Sequence, residues 1–152
     1  MKQKFIEAYM KTAETFAELS SAKRLHVGAL VVKDDRIISI GYNGMPSGWD
    51  NDCEYEVVEL QSAYGVGTIT VKTGELKTKP EVLHAETNAI AKLAKSTESG
   101  DGATMFITHA PCLDCAKLIY QSGISRVLYR NSYRDTAGLD FLSKAGLTVT
   151  QV

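Results

Sequence analysis

Several features that would place a chain in a specialised class are scarce in this sequence. It has only three cysteines, an odd number, and two of them, Cys112 and Cys115, are closely spaced. A disulfide framework is therefore not indicated. No apolar run approaches the roughly 20 residues that cross a bilayer, and the first residues form no signal-peptide core. The sequence predicts a cytoplasmic protein that does not bind a membrane.

A surplus of positive charge is also missing. Lys and Arg number 17 against 18 Asp and Glu, which gives a net charge of −1. Non-specific binding of a nucleic-acid polymer depends on many cations neutralising phosphates, so we do not expect such a partner. A small anionic ligand needs only a few local cations and stays possible. The length of 152 residues and the 44% apolar share fit one domain over residues 1–152.

The spacing of the apolar residues predicts an α/β chain. Residues 3–20 have helical spacing, and Val27–Val32 and Ile37–Tyr42 flank a short polar turn, as in a β-hairpin. From residue 84 onward helices and strands alternate, which is typical of crossovers covering a mostly parallel sheet. The predicted helices there are 84–95, 112–121 and 136–145, and the predicted strands are 103–108, 126–130 and 147–152. Gly123 is expected to end the second of these helices.

Two stretches between the hairpin and residue 84 have little regular pattern. Residues 41–48 are rich in turn formers and predict tight turns with positive φ, either as a structural loop or as a loop lining a ligand. Residues 49–80 predict only one short strand, at 66–72. Irregular segments of this length tend to be functional. We therefore expect a lid, an interface or a regulatory element over residues 49–80.

Metal-binding residue types cluster at two predicted helix starts. His84 begins one helix, and Cys112 and Cys115 lie one turn apart at the start of another. The positive end of a helix favours thiolates. A Cys-x-x-Cys pair has two general interpretations, a metal site or a redox dithiol. One His and two Cys leave the fourth position of a tetrahedral zinc open, as in catalytic rather than structural zinc sites.

Glu86 distinguishes a catalytic zinc site from a structural zinc site. A structural zinc needs no carboxylate beside its histidine, whereas hydrolysis needs a group that moves protons between water and a leaving group. Glu86 lies two residues after His84, and Pro111 precedes Cys112. Together these residues make the H-x-E…P-C-x-x-C signature of zinc nucleobase deaminases. Glu86 is thus the predicted catalytic proton shuttle, and His84, Cys112 and Cys115 are the predicted zinc ligands.

The sequence resembles the deoxycytidylate (dCMP) deaminase family of the cytidine deaminase superfamily, in its bacterial and phage form. The resemblance runs from about Ser21 to the end of the chain. Four stretches carry it: Arg-Leu-His-Val-Gly-Ala at 24–29, Gly-Tyr-Asn-Gly-Met-Pro-Ser-Gly at 41–48, Leu-His-Ala-Glu-Thr-Asn-Ala-Ile at 83–90 and Ala-Pro-Cys-Leu-Asp-Cys-Ala-Lys at 110–117. It implies a three-layer α/β/α fold with a five-stranded mixed sheet. It also implies hydrolysis of dCMP to dUMP and ammonia, which supplies dUMP for dTTP synthesis.

The resemblance further implies where the substrate binds. Asn43 would contact the sugar hydroxyl, and the backbone around Ala85 and Ala110 would read the pyrimidine edge. Tyr133 matches a substrate-binding tyrosine. Arg134 and Arg24 are the candidates for the phosphate.

Regulation is implied for the family as a whole. Its members are often homohexamers that dCTP activates together with Mg²⁺ and that dTTP inhibits, and the loop around residues 42–48 takes part. The predicted allosteric residues are therefore Tyr42, Asn43, Gly44, Met45, Pro46, Ser47 and Gly48. Some phage relatives carry a second, structural zinc. Here Cys53 is the only cysteine left over and no histidine lies between residues 27 and 83, so one zinc is expected and Cys53 is a buried or loop thiol.

Two alternatives stay open at the level of sequence. The chain could be another deaminase of the superfamily, acting on a nucleoside or on adenosine in tRNA, although the net charge disfavours tRNA. It could also be a non-catalytic, zinc-stabilised scaffold that binds a nucleotide. Glu86 and the open ligand position argue against that scaffold.

Overall fold

A computed structural model describes residues 1–152, which form four helices and seven strands. The helices are α1 (Gln3–Ala17), α2 (Ala85–Ala94), α3 (Leu113–Gln121) and α4 (Ala137–Lys144). The strands are β1 (Gly28–Lys33), β2 (Arg36–Tyr42), β3 (Glu54–Ala63), β4 (Gly67–Thr78), β5 (Thr104–His109), β6 (Arg126–Asn131) and β7 (Thr148–Gln151). None of the helices is long and apolar enough to cross a bilayer.

The central sheet has five strands in the order β2-β1-β5-β6-β7. β1 pairs antiparallel with both β2 and β5, whereas the pairs β5–β6 and β6–β7 are parallel. The expected five-stranded mixed sheet is confirmed. The expectation of a mostly parallel sheet is wrong, because the first hairpin joins the parallel half through an antiparallel pair and only two of the four pairings are parallel.

Helices cover both faces of this sheet, so the expected three-layer α/β/α fold is confirmed. Alternate side chains of a strand point to opposite faces. Ala29 and Val31 of β1 pack in the cluster that holds residues of α2, α3 and α4. Leu30 and Val32 pack in the cluster that α1 covers with Ile6, Met10 and Ala13.

Most predicted elements lie within a few residues of the observed ones. The first hairpin and all three late helices are confirmed, and helix α1 ends at Ala17 rather than near residue 20. Gly123 follows the end of α3 with φ 81°, the left-handed conformation that glycine adopts after a helix. In the loop 41–48 only Gly48, with φ 85°, has the expected positive φ. Gly44 instead bridges to Leu83.

Residues 49–80 differ most from the sequence prediction. The short strand expected at 66–72 is part of a long antiparallel hairpin of β3 and β4, which form a sheet of their own. This hairpin makes no extensive contact with any other helix or strand. Its base is anchored where the Lys79 N–H donates to the Cys53 carbonyl at 2.8 Å. The remainder projects from the domain.

Candidate metal centre and active-site cavity

A cavity of about 340 Å³ opens where several chain segments converge at one edge of the sheet. The starts of α2 and α3 supply His84, Glu86 and Cys112, and the end of β5 leads to His109 and Ala110. The segments flanking the first hairpin, the base of the second hairpin and the loop after β6 complete the wall. The helix starts and the strand end meet at this edge because each crossover of the fold returns the chain there.

The predicted metal ligands converge at the floor of this cavity. His84 Nδ1 lies 3.3 Å from Cys115 Sγ and 3.7 Å from Cys112 Sγ, and the three ligand atoms lie within 4.8 Å of one another. Zinc bound tetrahedrally at ordinary Zn–N and Zn–S distances places such atoms about 3.5 Å apart. The spacing of the three side chains therefore fits one zinc ion.

The two thiols of the cluster differ in how readily they ionise. Hydrogen bonds with Cys115 and His84 lower the pKa of the Cys112 thiol to about 4. A hydrogen bond with Cys112, and then burial, raise the pKa of Cys115 above its usual value. The cluster thus carries one thiolate readily and a second only beside a metal ion, which deprotonates a coordinating thiol.

Glu86 lies beside the three ligands but is not one of them. It stands in the first turn of α2, lines the cavity and is only 4% exposed. Burial raises the pKa of its carboxyl above the usual value. A carboxylate with a raised pKa exchanges protons near neutral pH more readily than an ordinary glutamate. The arrangement suits a group that passes protons within the cavity.

Strand β2 fixes the helix that carries His84 and Glu86. The Asn88 Nδ2 amide donates to the Tyr42 carbonyl at 2.8 Å, and the Ser39 hydroxyl donates to the Ala89 carbonyl at 2.7 Å. Gly41 permits this approach, because a Cβ at that position would lie 2.0 Å from the Ala85 carbonyl oxygen. The glycine is needed here for space and not for an unusual φ.

Five of the six predicted substrate-binding residues line the cavity: Arg24, Asn43, Ala85, Ala110 and Tyr133. Arg134 does not line the cavity. Of the predicted allosteric residues 42–48, only Asn43 lines it. The Asn43 side chain accepts the Val27 N–H and donates to the Leu25 carbonyl, both at 2.8 Å. The Asn43 side chain therefore fixes the residues that precede β1. One hydrogen of its amide stays free to donate to a ligand.

The two backbone positions differ in what they can offer to a ligand. The Ala110 N–H donates to the Asn131 carbonyl at 2.8 Å, so that N–H is already used within the fold. Ala85 is the first residue of α2, where backbone N–H groups have no partner within the helix. Ala85 can therefore donate from its N–H.

Sequence reasoning missed three polar residues of the wall: Glu54, Thr78 and His109. Glu54 and Thr78 pair across the base of the second hairpin, which the sequence did not predict. Glu54 Oε1 accepts the N–H groups of Lys23 and Arg24 at 2.8 and 3.0 Å. The Arg24 guanidinium donates to the Thr78 hydroxyl at 3.1 Å. The base of the hairpin thus holds Arg24 against the cavity.

Cys53 takes no part in the metal cluster. It is fully buried and packs with Ala22, Val82 and Met45. Its sulfur lies 3.6 Å from the Ser21 hydroxyl oxygen. The expectation of a buried thiol is confirmed. The single group of metal-ligating side chains in the structure is the one at His84.

The three-layer fold and the His-Cys-Cys centre with its neighbouring glutamate define a zinc-dependent deaminase. The model of the cytidine and deoxycytidylate deaminase zinc-binding region matches residues 3–131. A deoxycytidylate deaminase of Enterobacteria phage T4 is 37% identical, over 83% of this chain and 78% of that protein. The human deoxycytidylate deaminase is 35% identical, over 93% and 76%.

A solved structure shows the same relation in three dimensions. The dCMP deaminase from cyanophage S-TIM5, crystallised with dCMP and dUMP, superposes with a TM-score of 0.86. The two chains are 47% identical, and the match covers 100% of this chain and 99% of that one. This chain belongs to the deoxycytidylate deaminase family.

Proposed function

We propose that this protein hydrolyses dCMP to dUMP and ammonia. The observation that carries the proposal is the non-ligating Glu86 beside three convergent zinc ligands, at the floor of a cavity that also holds Arg24. The relatives named as deoxycytidylate deaminases, one of them crystallised with dCMP and dUMP, support the choice of substrate.

The metal and Glu86 have complementary roles in this proposal. His84, Cys112 and Cys115 would hold a zinc ion, which would supply Lewis-acid chemistry and lower the pKa of water to about 7. Glu86 accepts a proton from the water that attacks C4 of the pyrimidine. It donates this proton to the ring nitrogen. Glu86 then accepts the remaining proton of the new C4 hydroxyl and passes it to the amino group, so that the C4–N bond breaks, the C4 carbonyl forms and ammonia leaves. The buried position of Glu86 keeps this proton away from bulk water.

The remaining wall residues hold the nucleotide. We assign the free N–H of Ala85 and the carbonyl of Ala110 to the pyrimidine edge. Asn43 offers its remaining amide hydrogen to the sugar hydroxyl. Arg24 and Tyr133 serve the phosphate end, and Arg134 joins them only if the loop after β6 rearranges on binding. A bidentate guanidinium such as that of Arg24 suits a phosphate.

Regulation and assembly extend the proposal. We infer a cytoplasmic homohexamer, activated by dCTP with Mg²⁺ and inhibited by dTTP, in which the loop Tyr42–Gly48 binds the regulatory nucleotide. The Tyr42 carbonyl, which accepts a hydrogen bond from the Asn88 side chain of α2, links that loop to the catalytic helix. The projecting hairpin β3–β4 is the proposed assembly surface. Its exposed apolar residues include Val58, Leu60 and Val66.

Ammonia release tests substrate and regulation together. The zinc-loaded protein is assayed with dCMP, CMP, deoxycytidine and cytidine, and then with dCMP during separate titrations of dCTP and dTTP. We expect dCMP to give the highest kcat/KM, dCTP to lower its KM and dTTP to inhibit. Preference for a nucleoside would indicate another deaminase of the superfamily. No ammonia from any substrate, with zinc bound, would indicate a non-catalytic scaffold.

A further inference from the structure

A buried hydroxyl contacts the imidazole of the histidine at the end of β5. Thr108 is 3% exposed, and its Oγ1 accepts the Gly28 N–H at 3.1 Å. The same oxygen lies 3.1 Å from His109 Nδ1. The Thr108 hydroxyl hydrogen has no other acceptor within the fold. If Nδ1 carried the hydrogen, the buried Thr108 hydroxyl hydrogen would have no acceptor, which is disfavoured. The favoured arrangement therefore has the hydroxyl donating to His109 Nδ1.

This hydrogen bond selects one tautomer of His109. Burial lowers the pKa of the imidazole, so the ring is neutral at neutral pH. In a neutral imidazole one nitrogen accepts and the other carries the hydrogen. Because Nδ1 accepts from Thr108, the hydrogen resides on Nε2. His109 therefore presents an N–H donor at the edge of the ring that faces away from Thr108.

The Nε2 edge of His109 is accessible and has no partner. His109 lines the cavity wall, and its Nε2 has no hydrogen-bond partner in the fold. The only buried side-chain polar atoms without a partner are Glu54 Oε2 and Arg126 Nε, so His109 Nε2 is accessible. A fixed and unused donor at the wall of a binding cavity is suited to an acceptor on the ligand.

The phosphate of the substrate is the group that most needs this donor. A phosphate offers only acceptor oxygens and binds best to several donors at once. Arg24 is the only Lys or Arg in the cavity wall, and one of its N–H groups already contacts Thr78. Ala85 and Ala110 are assigned to the pyrimidine edge, so Arg24 and the Tyr133 hydroxyl are the only other donors of the cavity wall proposed for the phosphate.

We propose that His109 binds the 5′-phosphate of the nucleotide through its Nε2–H, and that Thr108 is the positioning residue that fixes this tautomer. The inference rests on the proposed dCMP deaminase function and adds a specificity determinant to it. It explains how a cavity with a single arginine could prefer a nucleotide to a nucleoside.

Substrate discrimination tests the role of His109. The variants His109→Phe and His109→Gln are compared with the wild type on dCMP and on deoxycytidine, which lacks the phosphate. Phenylalanine keeps a ring without a donor, and we expect kcat/KM for dCMP to fall about tenfold to hundredfold. Activity on deoxycytidine should stay within about twofold of the wild-type value. Glutamine carries an amide N–H and should recover part of the loss on dCMP.

A structural role would give a different result. If both substrates lost activity equally, or if His109→Gln were no better than His109→Phe, the proposal would be overturned. Wild-type turnover of dCMP measures the proposed function separately, because that turnover does not depend on how the two substrates compare in the variants. Failure of the inference and failure of the function are thus distinguishable.

Nuclear magnetic resonance tests the tautomer without an activity assay. In ¹⁵N-labelled, zinc-loaded protein, Nδ1 of His109 should show the shift of an unprotonated nitrogen and Nε2 that of a protonated one. Thr108→Val should mix the two tautomers and weaken dCMP binding, whereas Thr108→Ser should resemble the wild type. A hydrogen on Nδ1 in the wild-type protein would contradict the account.

Discussion

The cavity floor and the projecting hairpin β3–β4 are built in opposite ways. At the floor, Glu86 and Cys115 are buried, and hydrogen bonds from β2 hold the helix behind them. Along the hairpin no side chain of β3 or β4 is buried and most are exposed, including Leu60 at 76%. An isolated two-stranded hairpin is only marginally stable in water. The floor is thus complete within one chain, whereas the hairpin is the proposed assembly surface.

The two regions nevertheless meet at one point. Glu54 and Thr78 belong to the base of the hairpin, and both contact Arg24 at the cavity wall. A change along the hairpin could therefore reach the phosphate end of the cavity without touching the metal centre. The contrast predicts that substitutions at the floor abolish chemistry, whereas substitutions on the hairpin alter assembly or binding.

The largest effect is expected at the metal ligands. Cys115→Ser should lose the zinc and lower activity by at least about 10³-fold, because the metal supplies several kcal/mol of transition-state stabilisation. Zinc content and ammonia release measure the two losses. Cys53→Ser is the matched control, since Cys53 is equally buried but lies outside the cluster. Equal zinc loss in both variants would contradict the assigned ligand set.

A glycine behind the floor should be nearly as sensitive. Gly41→Ala forces a Cβ to within 2.0 Å of the Ala85 carbonyl oxygen. Overpacking of this kind costs about 1–3 kcal/mol of stability, and a shift of about 1 Å at a catalytic group lowers the rate about 10²-fold. Thermal unfolding and kcat measure the two effects.

The same substitution a few residues later provides the control. A Cβ at Gly44 would meet nothing within 4 Å, so Gly44→Ala should change stability by no more than about 0.5 kcal/mol. If Gly41→Ala changed stability and kcat as little as Gly44→Ala, the close packing of β2 on α2 would not be what positions the residues at the cavity floor.

The hairpin should respond through assembly rather than through folding. Leu60→Lys should change the free energy of unfolding by no more than about 0.5 kcal/mol but should shift the protein to smaller assemblies in analytical ultracentrifugation. Leu19→Lys is a matched control on an exposed leucine of the main domain, 59% exposed. If only Leu19→Lys changed the assembly, the proposed interface would be misplaced.

The smallest effect concerns pH and the ion pairs of Arg130. The Arg130 guanidinium donates to Glu7 and Glu14 at 2.9 and 3.1 Å. This contact lowers the pKa of the Glu7 carboxyl below its usual value. A lowered folded-state pKa adds stability above the unfolded-state pKa, and this stability disappears as the pH falls through the folded-state value.

Glu7→Gln removes that titration. Because Glu7 is exposed, the variant should be only slightly less stable than the wild type at about pH 7, and the difference should disappear as the pH falls below the ordinary carboxyl range. Thermal unfolding at a series of pH values measures the difference. If the difference in stability between the wild type and Glu7→Gln grew as the pH fell, the contribution assigned to the Glu7 carboxylate would be wrong.

The sequence predicted best where residue spacing carries physical information. The late helices follow the apolar period of 3.6 residues, and the spacing of Cys112 and Cys115 places both sulfurs on one side of a helix start. The hairpin β3–β4 lacked such a signal, because both of its faces are exposed and no alternation of buried and exposed residues marks its strands.

Some residues of the site carry no sequence signal of their own. His109 precedes Ala110 and Pro111 without a distinctive spacing, so only the structure places it in the cavity wall. Tyr133 and Arg134 are adjacent in an irregular segment, and the sequence could not predict that only Tyr133 reaches the cavity. Spacing rules apply to regular elements, whereas loop side chains are directed by tertiary contacts.

The most direct test of the account compares Glu86→Gln with the wild type on dCMP, with zinc content measured in the same samples. The account predicts one bound zinc in both proteins and a loss of ammonia release of about 10²–10⁴-fold in the variant, the usual contribution of a general acid–base group. Loss of zinc in Glu86→Gln would contradict the claim that this carboxylate moves protons without binding the metal. So would near wild-type ammonia release.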